Sequence, residues 1–151
     1  MMPEGFDYAE WLGYGPLESY ADKRHAAKFG FYKACVRDLF EHYTRPQENG
    51  SHANTARLAL TDKRGLGIVV TGMPEFSFSA HKYTTADIMK ARHDFELIER
   101  KETCVNIDYR QAAIGTASCG PYPAEKYLFK DKEFDFCFKL KPVFIEDTAG
   151  I

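Results

Sequence analysis

Carboxylates are the most numerous side chains in this sequence that could catalyse a reaction. The chain has 22 Asp and Glu residues, and a close pair of carboxyl groups can act as nucleophile and general acid/base. With so many acids, nominal pairs arise by chance. Glu18, Glu48 and Asp108 lie near Gly, Pro or Asn, where acidic side chains commonly accept hydrogen bonds from backbone N–H groups. We therefore predict turn, cap or surface roles for these three and assign no catalytic residue.

Histidine and cysteine, the usual zinc ligands, do not occur at ligand spacing. The histidines include no H-E-x-x-H motif and no i, i+4 pair, which predicts core or surface positions and no metal site. The cysteines include no C-x-x-C pair, which predicts free thiols in a reducing compartment. These residues are His25, His42, His52, His81 and His93, and Cys35, Cys104, Cys119 and Cys137.

The sequence gives little support for the binding of nucleotides, nucleic acids or membranes. The glycines of Gly13-Tyr14-Gly15 are followed by Pro16 rather than by a helix-opening G-x-x-G. A net charge of −2 and a pI near 6.2 do not suit capture of a phosphate backbone, and the basic run 23–28 is read as a solvated surface. No apolar stretch approaches the roughly 18 residues of a membrane span. The N-terminus lacks the features of a signal peptide, which for an excised segment would say nothing about the parent's compartment.

The elements that must position any site are predicted to be mainly strands. Aromatic residues form 15% of the chain, which is typical of half-buried sheet surfaces. Strict alternation predicts strands at Glu133–Lys141, where the phenylalanines share one buried face, and at Cys104–Arg110. Residues 57–60 and 67–71 flank a glycine-containing turn and predict a hairpin. A separate strand, Phe76–Ser79, is expected after a break at Met73-Pro74.

Helical signals are few. Thr84 to Arg92 predicts a short helix with Thr84 as N-cap and Asp87 completing a capping box. Residues 26–43 also place apolar side chains at helical spacing, so the pattern alone favours a helix there. Turn-length Pro and Gly stretches mark no domain boundary, which predicts a single domain, 1–151.

Several motifs occur in an order that resembles one family. They are Trp11-Leu12-Gly13-Tyr14-Gly15-Pro16-Leu17-Glu18-Ser19-Tyr20, Tyr43-Thr44-Arg45-Pro46-Gln47-Glu48-Asn49-Gly50, Phe76-Ser77-Phe78-Ser79-Ala80, Ala91-Arg92-His93, Asn106-Ile107-Asp108-Tyr109-Arg110-Gln111 and Ile114-Gly115-Thr116-Ala117-Ser118-Cys119-Gly120-Pro121. Together, from about Trp11 to Leu140, they resemble the last part of the large, lactose-hydrolysing bacterial β-galactosidases of glycoside hydrolase family 2. Some organisms encode this region as a separate small chain.

The resemblance implies an all-β fold with one short helix. The expected architecture is an antiparallel β-sandwich, the C-terminal part of the supersandwich that follows the catalytic barrel. It also implies extended chain and turns, not a helix, between residues 26 and 43. Because the family's sandwich begins upstream, we expect unpaired strand edges and an uncovered apolar face, so that the isolated chain either forms a compact half or self-associates.

The resemblance also implies a role for the loop Gly115–Pro121. In some family members this loop places a tryptophan against the sugar, and here Cys119 occupies that position. A thiol offers no aromatic face for a sugar ring, so only a place at the rim of the substrate site, with Ser118 and Gly120, is carried over. A purely structural Gly/Pro loop is the alternative. The turn 45–50 likewise has a structural reading and a docking reading through Arg45 or Glu48.

The function implied is that of a non-catalytic segment of a β-galactosidase. Its partners would be the catalytic barrel and a β-galactoside such as lactose, with homo-oligomer contacts also expected. No cofactor is expected on this chain, although the parent enzyme would use Mg and Na ions, and a cytoplasmic location is expected with a periplasmic one left open. The rival hypotheses are a free-standing carbohydrate-binding module and a structural dimerisation domain.

Overall fold

In the part of the chain that the structure describes, six strands form a single antiparallel sheet. A computed structural model describes residues 1–114 and 120–144. The strand order is β2-β1-β3-β4-β5, and β6 also pairs with β4. The strands are β1 Tyr8–Gly15, β2 Lys28–Cys35, β3 His52–Thr61, β4 Leu66–His81, β5 Cys104–Asp108 and β6 Phe138–Phe144, and the helices are α1 Thr85–Lys90 and the 3-10 turns Val36–Leu39, Asp94–Glu96 and Glu125–Tyr127. The predicted all-β class is confirmed and is consistent with a sandwich.

Helices contribute little to the described residues. The predicted capping box is present at α1, because the backbone N of Asp87 donates to Thr84 Oγ1 at 3.1 Å and the N of Thr84 donates to Asp87 Oδ2 at 2.9 Å. The helix ends at Lys90, two residues before the predicted end. None of the helices in the described ranges is long and apolar enough to cross a membrane.

The predicted hairpin is formed by β3 and β4. Its turn is closed by Asp62, whose Oδ1 accepts hydrogen bonds from the backbone N of Arg64 at 2.8 Å and of Leu66 at 3.0 Å. Gly65 completes the turn at φ 84°, in the region where a side chain is disfavoured. The hairpin prediction is therefore confirmed with its glycine.

Strand β4 extends through Met73-Pro74, so the predicted break there is wrong. Two strands pair with one edge of β4: β6 pairs with residues 66–72, and β5 pairs with residues 77–81. The other edge pairs with β3, whose register shifts between His52 and Arg57. The irregularity is thus absorbed in the β3–β4 pairing, and the strand stays one element.

Residues 28–35 are extended, as the resemblance implied. They form the edge strand β2, which pairs with β1 from Tyr8↔Cys35 to Gly15↔Lys28. Only the four residues Val36–Leu39 form a helical turn. Eight ladder pairs with β1 outweigh the helical spacing of the apolar side chains, since a short isolated helix is only marginally stable.

The core lies on one face of the sheet. It contains Trp11, Leu58, Leu60, Val70 and Phe78, none of them more than 1% exposed. Tyr32 and Ala34 of β2 pack against this core, so Phe29 and Phe31 point to the opposite face, where they are 56% and 55% exposed. The described residues thus leave an apolar outer face, as expected from the resemblance.

Only the second half of the alternating segment Glu133–Lys141 forms a strand. Strand β6 begins at Phe138, and none of its residues is fully buried. Phe134 stacks on Tyr109 with 4.6 Å between ring centroids, and Phe136 lies 6.0 Å from the same ring. The predicted strand 133–137 and its buried face are therefore wrong, because these phenylalanines pack on Tyr109 after β5 instead of extending the ladder. Strand β5 itself confirms the prediction but ends at Asp108.

Replacing Phe78 tests the core. We expect Phe78→Ala to lower the free energy of unfolding by about 3–5 kcal/mol, because the fully buried ring leaves a cavity. The matched control Phe31→Ala should change it by less than about 1 kcal/mol, since exposed positions tolerate truncation. Urea unfolding at pH 7 measures both, and equal losses would contradict this assignment of the core face.

Candidate functional site

Segment 18–20 is held against the start of β3 by a buried carboxylate. Glu18 is 4% exposed, and its Oε2 accepts a hydrogen bond from the backbone N of Gly50 at 2.7 Å. Its Oε1 accepts hydrogen bonds from Lys23 Nζ and the Tyr43 hydroxyl. The predicted backbone-capping role of Glu18 is confirmed, at a buried rather than a surface position. Gly50 has φ 66°, a positive value that glycine adopts without a steric penalty.

Electrostatic attraction strengthens the attachment of segment 18–20 through Glu18, which is called the Glu18 anchor below. Burial alone would lower the pKa of Lys23, but its hydrogen bonds to Glu18 and Tyr43 outweigh burial and raise the pKa. The ammonium therefore stays charged opposite Glu18 at neutral pH. Because a buried carboxylate without partners is costly, loss of Lys23 or of the Gly50 contact would loosen segment 18–20.

Tyr20 follows this anchor and forms part of a groove. Ser19 fixes its approach, because its backbone N donates to Ser51 O at 2.7 Å and its Oγ accepts from the backbone N of Ala53 at 2.9 Å. Tyr20 is 2% exposed, and its hydroxyl is buried beside the Ser51 backbone. Burial, and then the charge of Glu18, raise the pKa of Tyr20 well above its usual value, so the group remains a neutral hydroxyl.

A second part of the groove comes from the irregular stretch of the β3–β4 pairing. Asn54 lies in the register shift and has φ 53°, a positive value that Asn tolerates better than most residues. Its Oδ1 accepts from Arg24 Nη1 at 2.9 Å, and its Nδ2 donates to Glu75 Oε1. Bulges often redirect a side chain beside a functional site, and here the bulge holds the Asn54 amide between Arg24 and Glu75.

The opposite wall follows the end of β5. Gln111 Nε2 donates to Asp108 Oδ2 at 2.8 Å. The Arg110 guanidinium pairs with Asp131 and lies 4.8 Å from the Phe129 ring centroid. These contacts fix the chain direction immediately before residues 112–114.

Together these walls enclose a groove of ≈ 450 Å³, within the size range of small-ligand sites. Its lining combines tyrosine rings with planar amide, carboxylate and guanidinium groups. The lining residues are Tyr20, Ala21, Arg24, Ala53, Asn54, Pro74, Glu75, Phe76, Ser77, Tyr109, Arg110, Gln111, Lys126 and Tyr127. Such a surface can bind a polar, ring-containing molecule through hydrogen bonds and ring faces.

Most of the loop predicted from the resemblance cannot be placed relative to this groove, because residues 115–119 lie outside the described residues. Ser118 and Cys119 lie outside the described residues, and Gly120 is exposed and is not part of the groove lining. The described approach to the loop ends at Ile114, whose backbone N donates to Asp22 Oδ1 at 3.0 Å. Asp22 follows the lining residues Tyr20 and Ala21 in the chain, so Ile114 lies next to the groove wall.

Other candidates from the sequence have structural positions. Trp11, the one tryptophan and so the natural candidate for stacking on a sugar ring, is buried, and its Nε1 donates to Tyr14 O at 3.0 Å. It is therefore a core residue. Glu48 is half-buried, and burial followed by the charge of Asp108 raises its pKa; neither acid lines the groove. Within residues 1–114 and 120–144, no three His, Cys, Asp or Glu side chains are grouped closely enough to hold a metal ion. Cys35, Cys104 and Cys137 are free thiols.

Sequence reasoning missed the groove. Tyr20 and Tyr109 belong to motifs that carry the resemblance, but nothing in the spacing placed them near Asn54 or Glu75. The signals were weak, because an Asn in a strand and an acid after Pro74 are each compatible with ordinary edges and turns. Only the bulge brings them together.

Comparison with known proteins agrees with the motif order. A family model described as "Beta galactosidase small chain" matches residues 1–140. The chain is 35% identical over 131 residues to a β-galactosidase of Actinobacillus pleuropneumoniae, covering 87% of this chain and 12% of that protein. It is 34% identical over 142 residues to a β-galactosidase of Staphylococcus xylosus, covering 93% of this chain and 14% of that protein. The chain thus spans about one seventh or less of these relatives.

Buried His52 predicts a loss of stability in mild acid. Burial lowers its pKa from 6.5 to about 4, so the unfolded chain binds a proton at pH values where the folded chain does not. We expect the free energy of unfolding to keep its maximum value well above pH 6.5 and to fall as the pH drops towards 4. The protonation of His52 alone should lower it by about 2 kcal/mol at pH 5.

Urea unfolding at pH 7 and pH 5 measures this loss, and NMR of the His52 ring identifies its source. A ring that titrates near its ordinary value in the folded chain would contradict the assignment. A His52→Gln variant should show a correspondingly smaller pH dependence.

Proposed function

We propose that this chain, which belongs to the β-galactosidase small-chain family, is the non-catalytic β-sandwich segment of an enzyme. That enzyme would hydrolyse terminal β-galactosides such as lactose. In this proposal it packs on the catalytic barrel and lends the loop 115–121 to the rim of the sugar site. The observation that carries the proposal is the match of residues 1–140 to the small chain, combined with coverage of only 12% and 14% of two β-galactosidase relatives.

The outer face of the sheet supports a role within a larger body. Leu12 and Phe31 are cross-strand partners, as are Tyr14 and Phe29, whose rings lie 5.7 Å apart. All four side chains lie on the face opposite the core, and the two phenylalanines are more than half exposed. An apolar patch of this kind favours burial against further protein, which the remaining part of the parent or a second copy would supply.

The groove supports the non-catalytic assignment. Hydrolysis with retention needs two carboxyl groups about 5 to 5.5 Å apart. Among the described lining residues Glu75 is the one carboxylate, and it already accepts a hydrogen bond from Asn54. Binding, rather than bond cleavage, suits this arrangement.

A free-standing carbohydrate-binding module is the second candidate function. It is favoured by one observation, the groove with tyrosine rings and planar polar groups on the chain itself. The two functions differ in their dependence on a barrel, because a module would bind sugar alone and would not be needed for hydrolysis elsewhere.

A chimera tests the first proposal. The segment of the S. xylosus β-galactosidase that matches this chain would be replaced by residues 1–151. We expect the chimera to hydrolyse a chromogenic β-galactoside, and both the truncated enzyme and the purified chain to be inactive, because the catalytic groups and the supporting segment lie on different parts. Full activity of the truncated enzyme, or turnover by the chain freed of contaminating enzyme, would overturn the proposal.

Cys119 tests the rim assignment. In the active chimera we expect Cys119→Trp to change the KM for lactose, because an aromatic face is added where a sugar would lie. The matched control is Cys137→Ala, since Cys137 is exposed and belongs to no part of the proposed rim. An unchanged KM in Cys119→Trp would show that this position does not touch substrate.

A further inference from the structure

We propose that the outer face of the sheet docks against an acidic surface on the remaining part of the β-galactosidase polypeptide. That surface would present carboxylates to Arg57, Lys139 and Lys141, and apolar side chains to the phenylalanines of β2. This docking rests on the proposed function, because its partner is the rest of the parent enzyme. The charges of the face decide between that partner and a second copy of the chain.

The strand register brings three cations together on the outer face. Arg57 of β3 and Lys139 of β6 are both cross-strand partners of Thr71 in β4. Directly paired residues share a face of the sheet, and two strand spacings place these two positions about 10 Å apart. Lys141 lies two residues further along β6, on the same face and about 7 Å from Lys139. Because Leu12 of β1 pairs with Arg57, this cationic patch of Arg57, Lys139 and Lys141 borders the apolar patch.

The cationic patch has no carboxylate partner in residues 1–114 and 120–144, where none of its three side chains forms an ion pair. Glu10 lies on the same face, but it is 5% exposed and its Oε1 is 2.9 Å from Lys33 Nζ. Lys139 and Lys141 are exposed, and Arg57 is half-buried. The described face thus carries an excess of positive charge, on a chain whose net charge is −2.

This excess disfavours a second copy as the occupant. In a two-fold dimer the same surface meets itself, so the cationic patch would face either another cationic patch or the apolar patch. Neither supplies a carboxylate, and like charges facing each other across an interface are unfavourable. An acidic surface elsewhere in the enzyme supplies the missing charges, and regions outside the matched segment make up most of the length of the relatives.

The apolar patch supplies the attraction that the charges direct. Phe29 and Phe31 are 56% and 55% exposed, and Leu12 is 36% exposed. Burial of such side chains is favourable but is not directional, whereas charges around an apolar centre fix the orientation and select the partner. The outer face therefore fits a protein surface that is both apolar and acidic.

Charge reversal in the chimera tests the docking. We expect Lys139→Glu/Lys141→Glu to speed thermal inactivation of the chimera in low salt about tenfold, because two attractive contacts become repulsive. The difference should shrink in high salt, which screens both. The matched control Arg92→Glu/Lys132→Glu changes the net charge equally at exposed cations that lie in no strand, and it should inactivate at the unmodified rate. Equal acceleration in both double variants, or none in either, would overturn the proposal.

The isolated 151-residue chain separates docking from folding. We expect Lys139→Glu/Lys141→Glu to leave its urea midpoint unchanged or higher, because both side chains are exposed and Arg57 gains opposite charges nearby. A midpoint that falls in the isolated chain as far as stability falls in the chimera would show that the lysines act in folding, and would contradict docking.

Photo-crosslinking identifies the partner. The chimera would carry p-benzoylphenylalanine in place of Phe31, with Phe95, an 83% exposed residue outside the sheet, replaced as the control for chance labelling. We expect position 31 to crosslink within the same polypeptide, to Asp- or Glu-containing peptides of the S. xylosus part. Crosslinks between two copies, or none at position 31, would refute the docking. An inactive chimera that gives the expected crosslinks would instead refute the proposed function alone.

Discussion

The pairing of one long strand determines the rest of this structure. Strand β4 is sixteen residues long and gives its edges to β3, β5 and β6. A strand of this length rarely stays regular, because twist accumulates along it. Here the irregularity falls opposite residues 52–57 of β3, and it marks the place where Asn54 and Glu75 line the groove. Regular pairing on both sides of the bulge supplies the rigidity, and the bulge supplies the site.

Buried polar groups attach the remaining segments to this sheet. Glu18 joins residues 18–20 to Gly50, and His81 bonds to Asn49 O at 2.9 Å from the end of β4. Lys82, 4% exposed, joins Asp7 and Thr103, so the N-terminal strand and the approach to β5 meet at one ammonium. Each of these contacts is strong only because its partners are present, since an unpaired charge at such depth is unfavourable. These contacts hold segments without regular structure against the sheet.

The sequence predicted the parts of the fold that depend on local pattern. The β3–β4 turn with Gly65, the capping box at Thr84 and strand β5 needed only neighbouring residues and were found. Residues 28–35 needed the resemblance, because the stabilising ladder with β1 is not visible in helical spacing. Phe134 and Phe136 were misassigned since alternation cannot tell pairing from packing on Tyr109. The groove was missed for the same reason, as Tyr20, Asn54 and Gln111 meet only through tertiary structure.

Edge strand β2 also has a bearing on how this chain behaves in concentrated solution. In the described part of the chain its second edge carries no ladder, and Phe29 and Phe31 stand on its outer face. Exposed apolar edges can seed stacking into aggregates, and lysines are a common safeguard. Lys28 and Lys33 lie on this strand, but Lys33 is 2.9 Å from the Glu10 carboxylate. Much of its charge is thereby neutralised, so Lys28 provides most of the repulsion that keeps these edges apart, and added salt would weaken it.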